Sequence, residues 1–183
     1  MQTFLRQRAV RGFTLIELLI VVIIIAILAA IAIPQFSSSS KDAQEAALDA
    51  NLATVRSSIE LYRVQHANVY PGVNVSSGGP ACTGGDIGKA AALSKEAVND
   101  QLTAYSNAAG ATCTVKVGEY TFGPYLRAIP AEPFGNEATI LPSNAALAQP
   151  AAVGKGWLYS TLTGQFIINT NAVDSKNKAY STR

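Results

Sequence analysis

Arg11-Gly12-Phe13-Thr14-Leu15-Ile16-Glu17-Leu18-Leu19-Ile20 opens the apolar run on which the rest of this 183-residue chain depends. From Leu18 to Ile33, 16 consecutive residues are drawn only from Leu, Ile, Val and Ala. Counted from Phe13 the segment is 21 residues long, interrupted only by Thr14 and Glu17. As a helix it extends roughly 32 Å, one bilayer hydrocarbon thickness. Arg6, Arg8 and Arg11 precede it, with no acid among the first 12 residues, and such a basic leader stays on the cytoplasmic side of a membrane. Glu17 is the odd member. A carboxylate inside a span costs a few kcal/mol and marks a functional position by default. Cleavage between Gly12 and Phe13 would create an α-amine one helical turn away, a cation with which Glu17 of the same or a neighbouring chain can pair.

Two plainer accounts explain less. A secretory signal peptide has an apolar core of about 7–15 residues closed by small residues. Here the run is longer, and Ala30-Ile31-Ala32 leads into Ile33-Pro34. A simple signal anchor accounts for the length but not for the Gly-Phe-x-x-x-Glu spacing. The short basic leader, Gly12, then Phe13-Thr14-Leu15-Ile16-Glu17 and the apolar run resemble the prepilin signature of type IV pilins and of the related type II secretion pseudopilins. The resemblance is specific over about residues 6–36. It implies cleavage at Gly12–Phe13 by a prepilin peptidase, N-methylation of Phe13, and an assembly role for Glu17. It also implies an inner-membrane subunit with its head outside the cytoplasm, inserted by assembly machinery into a homopolymeric fibre. That fibre is either an extracellular pilus (fimbrium) or a periplasmic pseudopilus.

The domains expected are a leader, 1–12, a transmembrane or fibre-core helix, 13–36, and an amphipathic helix plus globular head, 37–183. Pro34 removes one backbone hydrogen bond and is expected to kink the helix. Ser37–Ser40 compete for backbone hydrogen bonds, making 34–40 its weak point. From Lys41, the apolar positions Leu48, Leu52, Val55, Ile59 and Tyr62 step by three and four, as on one helical face. The helix should end near His66-Ala67-Asn68, before Tyr70-Pro71-Gly72. A helix from Phe13 to His66 spans about 80 Å, against about 35 Å for a domain of some 120 residues. Its apolar half is therefore expected to project into a bilayer or against copies of itself.

Beyond the helix the pattern predicts a loop over 71–88 and a short helix over 89–109 with Leu93, Ala97, Leu102 and Tyr105 facing in. Strands are expected at 112–117 and 119–122, and a proline-punctuated loop over 126–151. A β-hairpin is expected from 157–161 and 165–169, followed by a loose polar tail, 171–183. The fold class expected is α+β, pilin-like: a long helix laid on a small antiparallel sheet. Ile129-Pro130-Ala131-Glu132-Pro133-Phe134-Gly135-Asn136 is similar to a motif of major pseudopilins and some pilins. Its prolines and a positive-φ turn should pin Phe134 on the core.

Chemistry is scarce. The formal charge of +2 comes from the leader: without its three arginines, 11 basic and 12 acidic side chains remain, so no basic field favours nucleic acid. Cys82 and Cys113 lie in the part placed outside the cytoplasm. There they either form a disulfide closing a loop of about 30 residues or remain separate buried thiols. His66, the single histidine, reads as a helix-end residue beside the core rather than a base. Gly84–Lys89 lacks the first glycine and the Ser or Thr of a phosphate loop. Asn74-Val75-Ser76 is a formal glycosylation sequon. After Glu137 the only acid is Asp174, so the calcium loop of some pseudopilins is not expected. No enzyme activity, cofactor or metal is expected.

Overall fold

The computed structural model describes residues 12–150 and 154–183, with the side chains at positions 34 and 37 left aside. Arg6, Arg8 and Arg11 and most of the leader fall outside these residues. The chain forms two compact units, Met1–Ala43 and Gln44–Arg183. The helix α1, Leu15–Gln65, contributes to both.

In the first unit Thr14 starts α1: its carbonyl accepts the first helical bond, from the Leu18 N–H at 3.2 Å. Phe13 before it is 79% exposed, and the large apolar residues after it are exposed too, Leu15 by 88% and Ile33 by 67%. The backbone is helical through position 34, although the expected kink concerns a side chain outside those described. Ser38 and Ser39 both donate their hydroxyls to the Gln35 carbonyl at 3.0 Å. Serine thus shares the helical acceptors here instead of ending the helix.

In the second unit the predicted stripe is the core. Leu48, Leu52, Val55, Ile59 and Tyr62 are all at most 2% exposed. The first four pack with Val98 and Leu102 of α2 (Lys95–Thr103) and with Trp157, Tyr159, Phe166 and Ile168, while Tyr62 stacks on His66. The sheet against this core is three-stranded, in the order β3 (Ile140–Ser143), β4 (Trp157–Ser160), β5 (Phe166–Ile168). β4 and β5 form the predicted hairpin, with Trp157 opposite Ile168 and Tyr159 opposite Phe166. These four side chains are buried while Leu158 and Ile167 are half-buried, the period-two alternation of a sheet with one covered face. The Gly164 turn carries φ 74°, and the Tyr70 ring lies where a Cβ would stand.

Several expectations are corrected. α2 spans Lys95–Thr103 rather than 89–109, because Ser94 caps it by accepting the Ala97 N–H at 3.1 Å. Leu93, expected to face in, lies before the cap at φ 61° and is 44% exposed. Strand 112–117 contracts to β2, Thr112–Cys113, antiparallel to β1, Tyr105–Ser106. Residues 119–122 contribute only a single bridge, Ser106 to Phe122. The loop over 126–151 contains β3, which runs parallel to β4, so the sheet is mixed. The tail is not loose. Val173 bridges Ala179, Tyr180–Thr182 forms a 3-10 turn, and Tyr180 is 6% exposed.

Candidate assembly site

The segment opened by Gly12 and Phe13 is built around Glu17. One carboxylate oxygen accepts the Thr14 N–H at 2.9 Å and the Thr14 hydroxyl at 2.7 Å, while the Glu17 N–H donates to Thr14 Oγ1 at 3.3 Å. This is a reciprocal capping box, and it answers how a carboxylate is satisfied at the head of an apolar helix. In the uncut chain Phe13 has no free amine, so Glu17 is held by its own helix. Among the described residues, α1 is the helix long and apolar enough to cross a membrane, and none of its most apolar 18-residue window is buried. A water-exposed apolar face of this length is unstable in isolation and needs lipid or other apolar surface.

The other sequence candidates turn out to be structural. Cys82 and Cys113 are disulfide-bonded, with Cα atoms 5.8 Å apart. With Ala111 and Tyr120 they form a second, smaller core, against which Ile87, Tyr105, Val115 and Val117 pack. His66 is 3% exposed and stacks on Tyr62, ring centroids 3.7 Å apart. Its Nδ1 faces the Tyr62 carbonyl at 2.9 Å and so carries the proton, leaving Nε2 to accept from the Ser106 hydroxyl at 3.1 Å. Burial pushes its pKa down against the opposing pull of the Tyr62 and Asn107 carbonyls.

In the loop 84–90, the Asp86, Gly88 and Ala90 N–H groups donate to Thr114 Oγ1, the Thr112 carbonyl and Ser76 Oγ. Those amides are occupied by the chain's own acceptors, so no phosphate cradle exists there. The sequon is likewise engaged: Asn74 donates its side-chain amide to the Ala109 carbonyl at 3.1 Å and Ser76 is fully buried. Glu132, 3% exposed, accepts the Phe134 and Gly135 N–H groups at 2.8 and 2.6 Å. Asn136 takes the expected positive φ, 55°. The Trp157 indole N–H reaches the Pro130 carbonyl at 2.8 Å. The motif therefore fixes a turn against the sheet. Phe134 stays 39% exposed, packed on Tyr180 at 4.6 Å. Among the described residues no group of three His, Cys, Asp or Glu could hold a metal ion.

One constellation has no signal in the sequence. The Arg183 guanidinium pairs with Glu45 at 2.7 Å, Asp49 at 2.9 Å and Asp174 at 2.9 Å. Only their proximity in the fold relates these four residues, since two of the acids lie more than 130 positions upstream.

Comparison with known proteins points to the N-terminal segment. Residues 7–33 match the family described as the prokaryotic N-terminal methylation motif. Over 55 residues the chain is 47% identical to the type IV narrow pilus major component PilA5 of Thermus thermophilus. That alignment covers 30% of this chain and 47% of the relative, so the chain spans about half the length of the curated protein it matches. No solved structure matches it at a significant level. The motif and the identity together support the type IV pilin family.

Proposed function

We propose that this chain is the structural subunit of a type IV pilus, cut by a prepilin peptidase between Gly12 and Phe13 and N-methylated on Phe13. The observation that carries the proposal is the exposed apolar helix opened by a methylation motif. Before assembly residues 13–33 lie in the inner membrane, and the head faces away from the cytoplasm. During assembly the apolar helices of successive copies replace lipid as one another's partners. Such contacts join two different surfaces, and with an axial stagger between copies they propagate instead of closing into a ring, so a filament results. Once Phe13 has a free amine, Glu17 can exchange its Thr14 donors for that cation on a neighbouring chain, which sets the axial stagger. A pilus of this kind serves adhesion, motility or DNA uptake.

A second use, as major pseudopilin of a type II secretion system, is favoured by one feature, the Pro130–Asn136 stretch. Electron microscopy of filaments sheared from the native cells, with mass spectrometry of the subunit, separates the two. Long surface fibres of a chain starting at methylated Phe13 are expected. The same processed chain confined to membrane and periplasm would favour the pseudopilus, and an uncut chain would end both proposals.

Two substitutions address the residues. Glu17→Val should leave processing and membrane insertion intact and reduce fibre yield at least about tenfold, the factor for losing roughly 1.4 kcal/mol of pairing per joint. Wild-type fibre yield would remove Glu17 from the assembly role. Gly12→Ser should accumulate uncut precursor in the membrane, whereas mature protein beginning at Phe13 would show the cut to be insensitive to Gly12.

A further inference from the structure

We infer that residues 171–183 are a strap, fastened by Arg183, that guards the outer edge of β5 and opens as a unit before the head unfolds. The strap has almost no ladder of its own: one bridge, Val173 to Ala179, and one 3-10 turn. Its hold on the head comes from side chains. Arg183 reaches Glu45 and Asp49 on α1 and Asp174 within the strap. Glu45 also accepts the Ser175 N–H at 3.3 Å and the Tyr180 hydroxyl at 3.1 Å. The Tyr180 ring is lodged on Phe134, and the Arg183 guanidinium lies 5.4 Å above it. Ser181 Oγ is buried without a hydrogen-bond partner among the described residues, a penalty that opening relieves.

What the strap covers is a sheet edge. The bonds from the Asn169 N–H to Gly156 O and from the Ser160 N–H to Gln165 O place odd-numbered β5 residues toward β4. Phe166 and Ile168 therefore turn their backbone outward, and Arg56 occupies the Phe166 carbonyl at 2.8 and 3.0 Å. The same guanidinium holds the Arg183 carbonyl at 2.6 Å. β3, at the other edge, carries Pro142, which has no N–H to offer. β5 is thus the edge at which an added strand would pair, and the strap lies across it.

Charge sets when the strap is fastened. Glu45, Asp49 and Arg56 face it from α1, and Asp174, Lys176, Lys178, Tyr180 and Arg183 belong to it. The Lys178 N–H, then Arg183, hold the Asp174 carboxyl at about 2, against 3.8 unperturbed. Fastening from this group is complete above pH 3.8 and is lost as pH falls through about 2. At neutral pH the lever is salt, which acts chiefly through the Arg183–Asp49 pair, whose carboxylate is 56% exposed, as the Debye length shrinks from about 10 Å at 0.1 M to about 3 Å at 1 M.

The test is native-state hydrogen exchange on the full chain in detergent, at 0.1 and about 1 M sodium chloride. The amides of Asp174, Asn177, Tyr180 and Thr182 should exchange at least about tenfold faster than those of Trp157 and Asn169, and faster still in high salt. Arg183→Gln should raise strap exchange about tenfold more, abolish its salt dependence and leave Trp157 and Asn169 within about twofold. Strap amides that exchange at the rate of β4, or without salt dependence, would overturn the proposal. So would an Arg183→Gln variant in which all amides accelerate together. Should that variant fail to fold, the salt series on the unaltered chain decides alone.

Discussion

At the scale of single residues, His66 is the group with the most to say about pH. It is buried, stacked on Tyr62 and bonded through both ring nitrogens, with Phe122 and Tyr125 as its other ring neighbours. Burial holds its folded pKa below the unperturbed 6.5. The unfolded chain therefore takes up this proton first. Stability from His66 is fully present above about pH 6.5 and declines as pH falls from there toward the folded value. His66→Phe keeps the stack but drops both hydrogen bonds, so it should cost about 1–3 kcal/mol at pH 7. In exchange, the loss of stability between pH 6.5 and 5 should flatten. Urea unfolding at a series of pH values checks both parts, and an unchanged pH slope in the variant would assign the acid loss to another group. The sequence placed His66 beside the core from its spacing after Tyr62. Its partner Ser106 comes from a strand 40 residues on, which no local pattern announces.

At the scale of elements, the disulfide belongs to a small core of its own, distinct from the cluster packed on α1. Cys82 and Cys113 are 31 positions apart, and a closed loop of that size contributes about 3–4 kcal/mol in the chain-entropy account. The double replacement Cys82→Ser, Cys113→Ser should lower unfolding free energy by up to that amount, loosening the packing of Tyr120 and Ala111 first. Exchange of amides in the second core, such as the Tyr120 amide bonded to Val117 O, should rise before those of β4. Equal acceleration everywhere would mean that the loop and main core unfold together. Elements were legible where a single period dominates. The three-four spacing of Leu48 to Tyr62 marked α1, and the alternation Trp157, Tyr159 against Phe166, Ile168 marked the hairpin. β3 was hidden because Pro142 sits inside it and a parallel partner leaves no turn signal nearby. The strap was hidden because polar composition reads as disorder, while its fastening lies in acids on α1. Thr14 as the partner of Glu17 was visible in principle: a Thr three residues before a Glu at a helix start is a capping box.

At the scale of the whole molecule, the two units divide the physical problem. Each large buried apolar side chain of both cores is found at Leu48 or later in the chain. The unit Gln44–Arg183 also carries ten basic and ten acidic side chains, so it is electrically balanced without the N-terminal segment. The large apolar residues of 13–33, by contrast, are exposed and need lipid or other apolar surface. A chain beginning at Gln44 should therefore fold by itself, need no detergent and remain monomeric. Cutting there leaves Glu45 in the first turn of the shortened helix, where the helix dipole favours an acid. A frayed first turn costs about 1 kcal/mol or less, a drop of roughly 2–4 °C in Tm for a unit of this size. The check is a thermal melt by circular dichroism with sedimentation velocity, on the truncated head in buffer and the full chain in mild detergent. Matching melts within that margin and a monomeric head would locate folding stability in Gln44–Arg183 and the need for assembly in residues 13–33. A head that melts broadly or aggregates would show that the first unit contributes to folding as well as to assembly, and the division drawn between them would fail.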